Sequence, residues 1–395
     1  MFTEPGVQPG PHRSPPAALD FPESPEPPRR VPVNRMRPLA AVAIAVVAAS
    51  VLSSCAVNEM EVGDTGSTLE GYVVGAGSSA QGAAQQSWIA AFQTDHPRVT
   101  VDYDPAGSGA GRDTFMEGAS DFAGSDRAYT PDELEDGGFG RCAPDSTVIE
   151  LPLYISPIAV VFRLDDIDTL NLDAATIAGI FAGDITDWDD PAIAATNPGV
   201  ALPDLPITAV HRSDDSGTTE NFTEYLHATA PEVWEWEADG VWPFSGGEAA
   251  QGNSGVVDTV GNGVGTIGYA DASRAGGLGT AAVRVGEEFA SFSPEAAAAI
   301  VDASPLEEGR ADGDLAVSID RTTEQAGVYP IVLVSYLIAC EQYASPRNVE
   351  VVREYLTYIA SEEGQQAAAD GAGSAPISES MRERAMQAIE SIRAE

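Results

Sequence analysis

From residue 70 onward, apolar and polar positions follow a regular alternation of short blocks. Residues 71–74 read as a strand, Gly75-Ala76-Gly77-Ser78-Ser79 as a turn, and residues 81–92 as a helix whose Ala84, Trp88, Ala91 and Phe92 share one face. Val99, Val101 and Tyr103 alternate along a second strand, 98–104, which runs into Gly107-Ser108-Gly109-Ala110-Gly111 and a short helix holding Phe115 and Met116. A third apolar segment, 121–124, ends in Ser125-Asp126. The order strand, Gly/Ser loop, helix predicts an open α/β sheet with ligands beyond the carboxyl ends of its strands.

The pattern continues with an Asp/Glu/Gly-rich loop over 131–146, an apolar strand over 158–164, and a helix capped by Asp173 that carries Ile177, Ile180 and Phe181. A helix over 254–260 and a strand over 263–269 follow, then an apolar run, 331–339, and helices over 349–360 and 378–392. The stretch HRSDDSGTTENFTEY, 211–225, is the richest in chemistry. Ile207, Ala209 and His211 alternate on the approach, while Phe222, Tyr225 and Leu226 recur at helical spacing. The turn between them therefore sits at a helix N-terminus. There the N–H groups of Ser216, Gly217, Thr218 and Thr219 are expected to lack partners, the helix dipole adds positive charge, and the hydroxyls of Ser216 and Thr218 supply further donors. Arg212 adds a planar fork suited to an oxyanion.

Charge sharpens this reading. The net charge is −41, from 61 acidic residues against 20 basic ones, every one of them Arg. Such a surface repels nucleic acid and anionic lipid, so an anion site on this chain works against the global field. Residues 1–35 are rich in Pro and polar residues, as expected of a disordered or removed leader, or of a start placed upstream of Met36. Residues 39–51 are an apolar run too short for a comfortable membrane span, preceded by Arg35 and Arg37 and followed by Leu52-Ser53-Ser54-Cys55. This is the arrangement of a secretory signal ending in a bacterial lipobox. It predicts a leader over 1–54, lipid on Cys55, a tether over 55–65, and a protein held at the outer face of the cytoplasmic membrane. In that oxidising compartment, Cys142 and Cys340 are expected to pair as a disulfide rather than to bind metal. The chain's histidines show no HExxH spacing and its cysteines no CxxC spacing, so no metal or cofactor is expected.

Two other readings of the loops fail on spacing. Gly75-Ala76-Gly77 and the 107–111 loop both lack the third Gly of a dinucleotide fingerprint. His211, Asp214 and Ser216 lie too close in sequence, on a strand end and tight turn whose side chains diverge, to form a nucleophile, base and orienting acid.

GAGSS (75–79), GSGAG (107–111), DFAGSD (121–126), IFAGDITDWDDPAI (180–193), HRSDDSGTTENFTEYL (211–226), VGTIGYAD (264–271) and YPIVLVSYLIA (329–339), in this order, resemble the phosphate-binding receptors of bacterial phosphate ABC transporters over nearly all of 70–395. The resemblance implies a type II-like periplasmic-binding-protein fold. Two α/β lobes are joined by a hinge with two chain crossings, lobe 1 being 66–156 with 285–395 and lobe 2 being 157–284. It implies a tetrahedral anion between the lobes at Ser79, Ala80, Ser108, Asp126, Arg212, Ser216, Gly217 and Thr218, with Asp214 orienting Arg212. Ser79-Ala80 departs from the family's frequent Thr-Phe pair, which keeps the hydroxyl and loses a ring.

Asp126 carries the chemical logic. An ionised carboxylate only accepts hydrogen bonds, so it suits the P–OH of phosphate and repels fully ionised sulfate. The resulting expectation is a monomeric, non-enzymatic receptor that delivers inorganic phosphate to membrane permease subunits. The competing readings are a receptor for sulfate or molybdate, and a secreted phosphatase or esterase.

Overall fold

In the computed structural model of the chain, residues 67–395 are described. Cys55, the 1–54 leader and the whole 55–65 tether lie outside them. Eleven strands form one large mixed sheet: β1 Gly71–Gly77, β2 Val99–Asp104, β3 Phe122–Ser125, β4 Val148–Phe162, β5 Thr169–Leu172, β6 Thr208–Arg212, β7 Glu248–Ala250, β8 Thr266–Asp271, β9 Gly279–Val285, β10 Glu288–Ala290 and β11 Val332–Cys340. The main path runs β2-β1-β3-β11-β4-β8-β6-β7. Around it lie the helices α1 Gly82–Asp95, α2 Ser108–Met116, α3 Pro131–Asp136, α4 Ala174–Ala182, α5 Pro191–Thr196, α6 Gly217–Thr229, α7 Gly252–Asn262, α8 Pro294–Ala303, α9 Val349–Ala360, α10 Glu362–Ala372 and α11 Glu379–Glu390.

β4 is the element that joins the two sides of the sheet. Residues Val148 to Pro157 pair antiparallel with β11, and Ile158 to Phe162 pair antiparallel with β8. All of its residues are buried, which explains a near-continuous apolar run in place of alternation. The strand expected over 158–164 is thus only the far end of a longer one. Pro152 and Pro157 interrupt its hydrogen-bonding pattern, and the pairing with β11 shifts register between Ser335 and Tyr336. Fold class follows: two α/β halves, one carrying β1, β2, β3 and β11, the other β5 to β10, share β4.

Two local expectations change. The 131–146 loop opens with α3, because Thr130 and Glu133 form a reciprocal capping box and Pro131 starts the helix. α5, α8 and α10 carry the weak periodicity of small Ala-rich segments and escape a pattern search. Asp173 caps α4 through a bond from the Thr176 N–H. Cys142 and Cys340 are joined by a disulfide, Cα to Cα 5.2 Å, which ties the end of β11 to the segment beyond α3.

Candidate functional site

β6 delivers Arg212 to the edge of the cleft, and α6 starts just beyond it. Ser216 caps α6 by accepting from the Thr219 N–H at 3.2 Å, and its own N–H goes to Gly240 O. Of the N–H groups expected to be unpaired, those of Ser216 and Thr219 are therefore satisfied internally, and Gly217 and Thr218 remain as the donors of the helix start. Gly217 is required by close approach: a Cβ there would stand 2.8 Å from Asp126 Cβ and 2.9 Å from Ser108 Oγ.

Arg212 is only 2% exposed. Its Nε donates to Asp214 Oδ1 at 2.8 Å, and its Nη2 bonds Asp214 Oδ2. Burial alone would raise the Asp214 carboxyl; the bonds and charge of Arg212, with the Gly252 N–H, outweigh it and hold Asp214 below the usual carboxylate range. The backbone at Arg212 donates to Tyr269 Oη at 3.3 Å; Tyr269 also shares a hydrogen bond with Thr219 and stacks on Phe222 with centroids 4.3 Å apart. Asp214 thus holds the fork through two of its nitrogens, while Tyr269 anchors the backbone that carries it. The fork's third nitrogen, Nη1, is buried and has no hydrogen-bond partner among the described residues. A buried, charged donor left in this state is costly unless an acceptor is supplied.

Opposite stand the carboxyl ends of β1, β2 and β3. Ser79 Oγ accepts from the Asn253 N–H at 3.2 Å and from Asn253 Nδ2 at 3.0 Å. Ser108 Oγ accepts from the Asp126 N–H at 3.1 Å. Ser79, Ser108 and Ser216 share one arrangement: each oxygen is pinned by at least one N–H, and none gives its own proton to a protein group among the described residues. Three hydroxyl donors and one guanidinium nitrogen remain for an anion.

Asp126, 2% exposed, is held differently. Its Oδ1 accepts from Ser335 Oγ at 2.6 Å and its Oδ2 from Thr218 Oγ1 at 2.8 Å. The Thr218 hydroxyl is thus committed to Asp126, contrary to its expected part as a free donor, and only its N–H remains. Arg127 pairs with Glu133 and Glu220 and leaves Asp126 alone. Ala80 is fully buried and gives its N–H to Ser78 Oγ at 3.0 Å, so Ser79 is the better donor of that pair.

The two halves touch across the cleft. Besides Thr218 to Asp126 and Asn253 to Ser79, Asn221 Nδ2 donates to Asp126 O at 2.7 Å, and the Gly109 N–H reaches Asp215 O at 3.4 Å. Asn221, Asn253 and Ser335 escape the reading of the sequence. Ser335 had a signal, a small polar side chain inside a strand otherwise apolar or aromatic; Asn253, beside Gly252 at a helix start, had a weaker one.

Comparison with known proteins agrees with this architecture. The family model of the PBP superfamily domain matches residues 62–363. Phosphate-binding protein PstS2 of Mycobacterium bovis is 33% identical over 321 residues, covering 80% of this chain and 86% of its own. Phosphate-binding protein PstS 3 of Mycobacterium leprae is 35% identical over 326 residues, covering 80% and 85%. Among solved structures, a high-affinity periplasmic phosphate-binding protein (PfluDING) bound with phosphate superposes with a TM-score of 0.62 at 22% identity, over 80% of this chain and 92% of that one. A putative phosphate ABC transporter substrate-binding protein from Clostridium perfringens, with bound phosphate, gives 0.54 at 20% identity, over 76% and 98%. On its sequence match along most of its length, this chain belongs to the PBP superfamily and, within it, to the family of phosphate-binding proteins.

Proposed function

We propose that this protein captures inorganic phosphate outside the cytoplasmic membrane and delivers it to an ABC permease. The observation that carries the reading is Arg212, buried, clamped by Asp214, and left with one unpartnered nitrogen. Phosphate is held by Arg212, by the hydroxyls of Ser79, Ser108 and Ser216, and by the N–H groups of Gly217 and Thr218, with Ala80 lining the wall. Asp126 accepts the remaining P–OH proton, which sulfate does not have. Lobe 1 is 66–156 with the chain beyond β10, and lobe 2 runs from 157 through β10, so the expected boundary at 284/285 shifts past the β9–β10 pair that it would have cut. Ligand bridges them, so binding favours closure, and the closed form of a monomer is what the permease engages.

The chemistry is binding without turnover. Ser216 Oγ accepts from a backbone N–H, and both His211 ring nitrogens face carbonyl oxygens, of Arg212 and Gly246, at 2.9 Å, so neither serves Ser216 as a base. Calorimetric titration with phosphate, repeated with sulfate, tests the proposal. Tight phosphate binding that sulfate barely contests is the expected result; equal or reversed preference would transfer the protein to another oxyanion.

Cys55 supplies the attachment to the outer membrane face. Among the described residues no helix is long and apolar enough to cross a membrane. Cys55→Ala is expected to move the protein from the membrane fraction to the soluble fraction, and retention at the membrane would refute lipid anchoring.

A further inference from the structure

Asp126 discriminates between oxyanions only if it meets them as an acceptor, and the protein surrounds it with groups whose direction of donation can be worked out. A backbone carbonyl can only accept. Gln81 Nε2 lies 3.1 Å from Tyr336 O and 2.8 Å from Ser335 Oγ, so the amide of Gln81 must present its nitrogen to that side. Its oxygen then faces α1, where it takes a bond from Gln85 Nε2 at 2.9 Å. Gln85 Oε1 in turn accepts from the Tyr355 hydroxyl at 2.8 Å. Burial pushes the Tyr355 phenol well above its usual range, which keeps its proton in place. Every amide in the chain is therefore oriented by its neighbour, and reversing one would oppose oxygen to oxygen at Tyr336. Ser335, having accepted from Gln81, has a single proton to give, and among the described residues its one remaining close partner is Asp126 Oδ1 at 2.6 Å.

We propose that Ser335 is a specificity-determining positioning residue, the last donor of a one-way hydrogen-bond chain from Tyr355 through Gln85 and Gln81 that presents Asp126 to the ligand as an acceptor. This rests on the phosphate reading above and extends it to side chains that do not touch the anion. Tyr355, Gln81 and Ser335 are fully buried and Gln85 is 1% exposed, so no water competes for these bonds. The register shift in β11 falls between Ser335 and Tyr336, at the two residues that receive the Gln81 amide. The other carboxylate oxygen is treated alike. Asn253 Oδ1 accepts from the Asp271 N–H at 2.8 Å, which turns Asn253 Nδ2 toward Thr218 Oγ1 and leaves the Thr218 proton for Asp126 Oδ2. With a hydroxyl proton directed at each of its oxygens, Asp126 offers an incoming oxyanion only its remaining lone pairs, and the anion must bring the next proton itself.

The test measures phosphate and sulfate affinities, the latter by competition, for the wild type, Ser335→Ala, Ser335→Thr, Asp126→Asn and the Ser335→Ala/Asp126→Asn double variant. Ser335→Ala is expected to lower the phosphate-to-sulfate affinity ratio by about tenfold or more, the range of one hydrogen bond to a charged group. Ser335→Thr, which keeps the hydroxyl, restores the ratio. In the Asp126→Asn background, Ser335→Ala changes the ratio by less than about twofold, because a residue acting through Asp126 has nothing left to act on. Gln81→Leu cuts the chain one bond earlier and decides the matter if Ser335→Ala does not fold: it too is expected to lower the ratio. A wild-type ratio in Ser335→Ala, or in Gln81→Leu where Ser335→Ala does not fold, overturns the proposal, as does an equal effect of Ser335→Ala with and without Asp126. Wild-type protein that binds no phosphate overturns the phosphate reading itself, and this inference with it.

Discussion

The wall built by β6 and α6 and the wall built by β1, β2, β3 and β11 face each other across the proposed phosphate site and are assembled on opposite plans. On the first, a strand end, an arginine, its carboxylate partner, a helix cap and two free N–H groups all fall between Arg212 and Thr219. On the second, Ser79, Ser108, Asp126 and Ser335 come from four separate segments, with Asn253 reaching over from α7. The first wall is one continuous piece of chain that brings a carboxylate-clamped guanidinium and N–H donors; the second is a mosaic that brings neutral hydroxyls and one carboxylate. In the proposed function, attraction and discrimination are therefore physically separated: the contiguous wall would draw in any oxyanion, and the mosaic would test whether it carries a proton.

Breaking the contiguous wall has the largest expected effect on binding. Arg212→Ala removes the guanidinium and leaves Asp214 without its partner beside the anion, so the loss combines a charge-assisted bond with a new repulsion. Phosphate affinity measured by calorimetry is expected to fall by roughly 3–5 kcal/mol, as for the loss of one member of a buried ion pair. Near wild-type affinity would mean that the anion does not sit against Arg212.

This asymmetry also explains what the sequence reveals. In residues 211–226, strand alternation, charge, cap and helical spacing follow one another, so local pattern alone assembles that wall. The loops at 75–79 and 107–111 are visible as Gly/Ser turns, and Asp126 as the end of a strand. Ser335 is different. It belongs to an apolar strand whose pairing with β4 is decided by residues almost two hundred positions away in sequence, and its role depends on a register shift between Ser335 and Tyr336 that no local periodicity encodes. Thr218 shows the same limit: a hydroxyl at a helix start looks like a free donor until the opposite wall supplies the carboxylate that takes its proton. β4 itself is legible only at its far end, because a strand buried on both faces has no alternation to display.

Breaking the mosaic sharpens the comparison at intermediate magnitude. Asp126→Asn replaces an acceptor-only group with one that both donates and accepts, nearly without change of volume. Phosphate binding is expected to weaken by about 1–3 kcal/mol while sulfate improves, since the new amide can face an ionised oxygen. Measured side by side, Arg212→Ala lowers both affinities and Asp126→Asn drives them together. An unchanged phosphate-to-sulfate ratio in Asp126→Asn would refute the division of labour between the walls.

The smallest expected effect on phosphate affinity lies at the seam between the halves. Asp271 ends β8, and its carboxylate oxygens accept from the hydroxyl of Tyr154, 3.2 Å away on the stretch of β4 that pairs with β11. Burial raises this carboxyl, the Ser273 and Ser156 hydroxyls and the Ser273 N–H partly oppose it, the Asp126 charge adds to it, and the result is a value of about 6 against 3.8. The folded state therefore keeps a proton that the unfolded chain has released over the window between about 4 and 6. The stability contributed by Asp271 is complete below the lower limit and is lost as pH rises through the upper one. Asp271→Asn removes this titration, so the pH dependence of chemical unfolding should flatten across that window while phosphate affinity at neutral pH stays within about threefold of wild type, well under one charged hydrogen bond. The same slope in the variant would assign that loss of stability to other carboxylates. A large loss of phosphate affinity would show instead that the seam sets the spacing of the walls, and that the contiguous wall does not bind independently of how the mosaic is held.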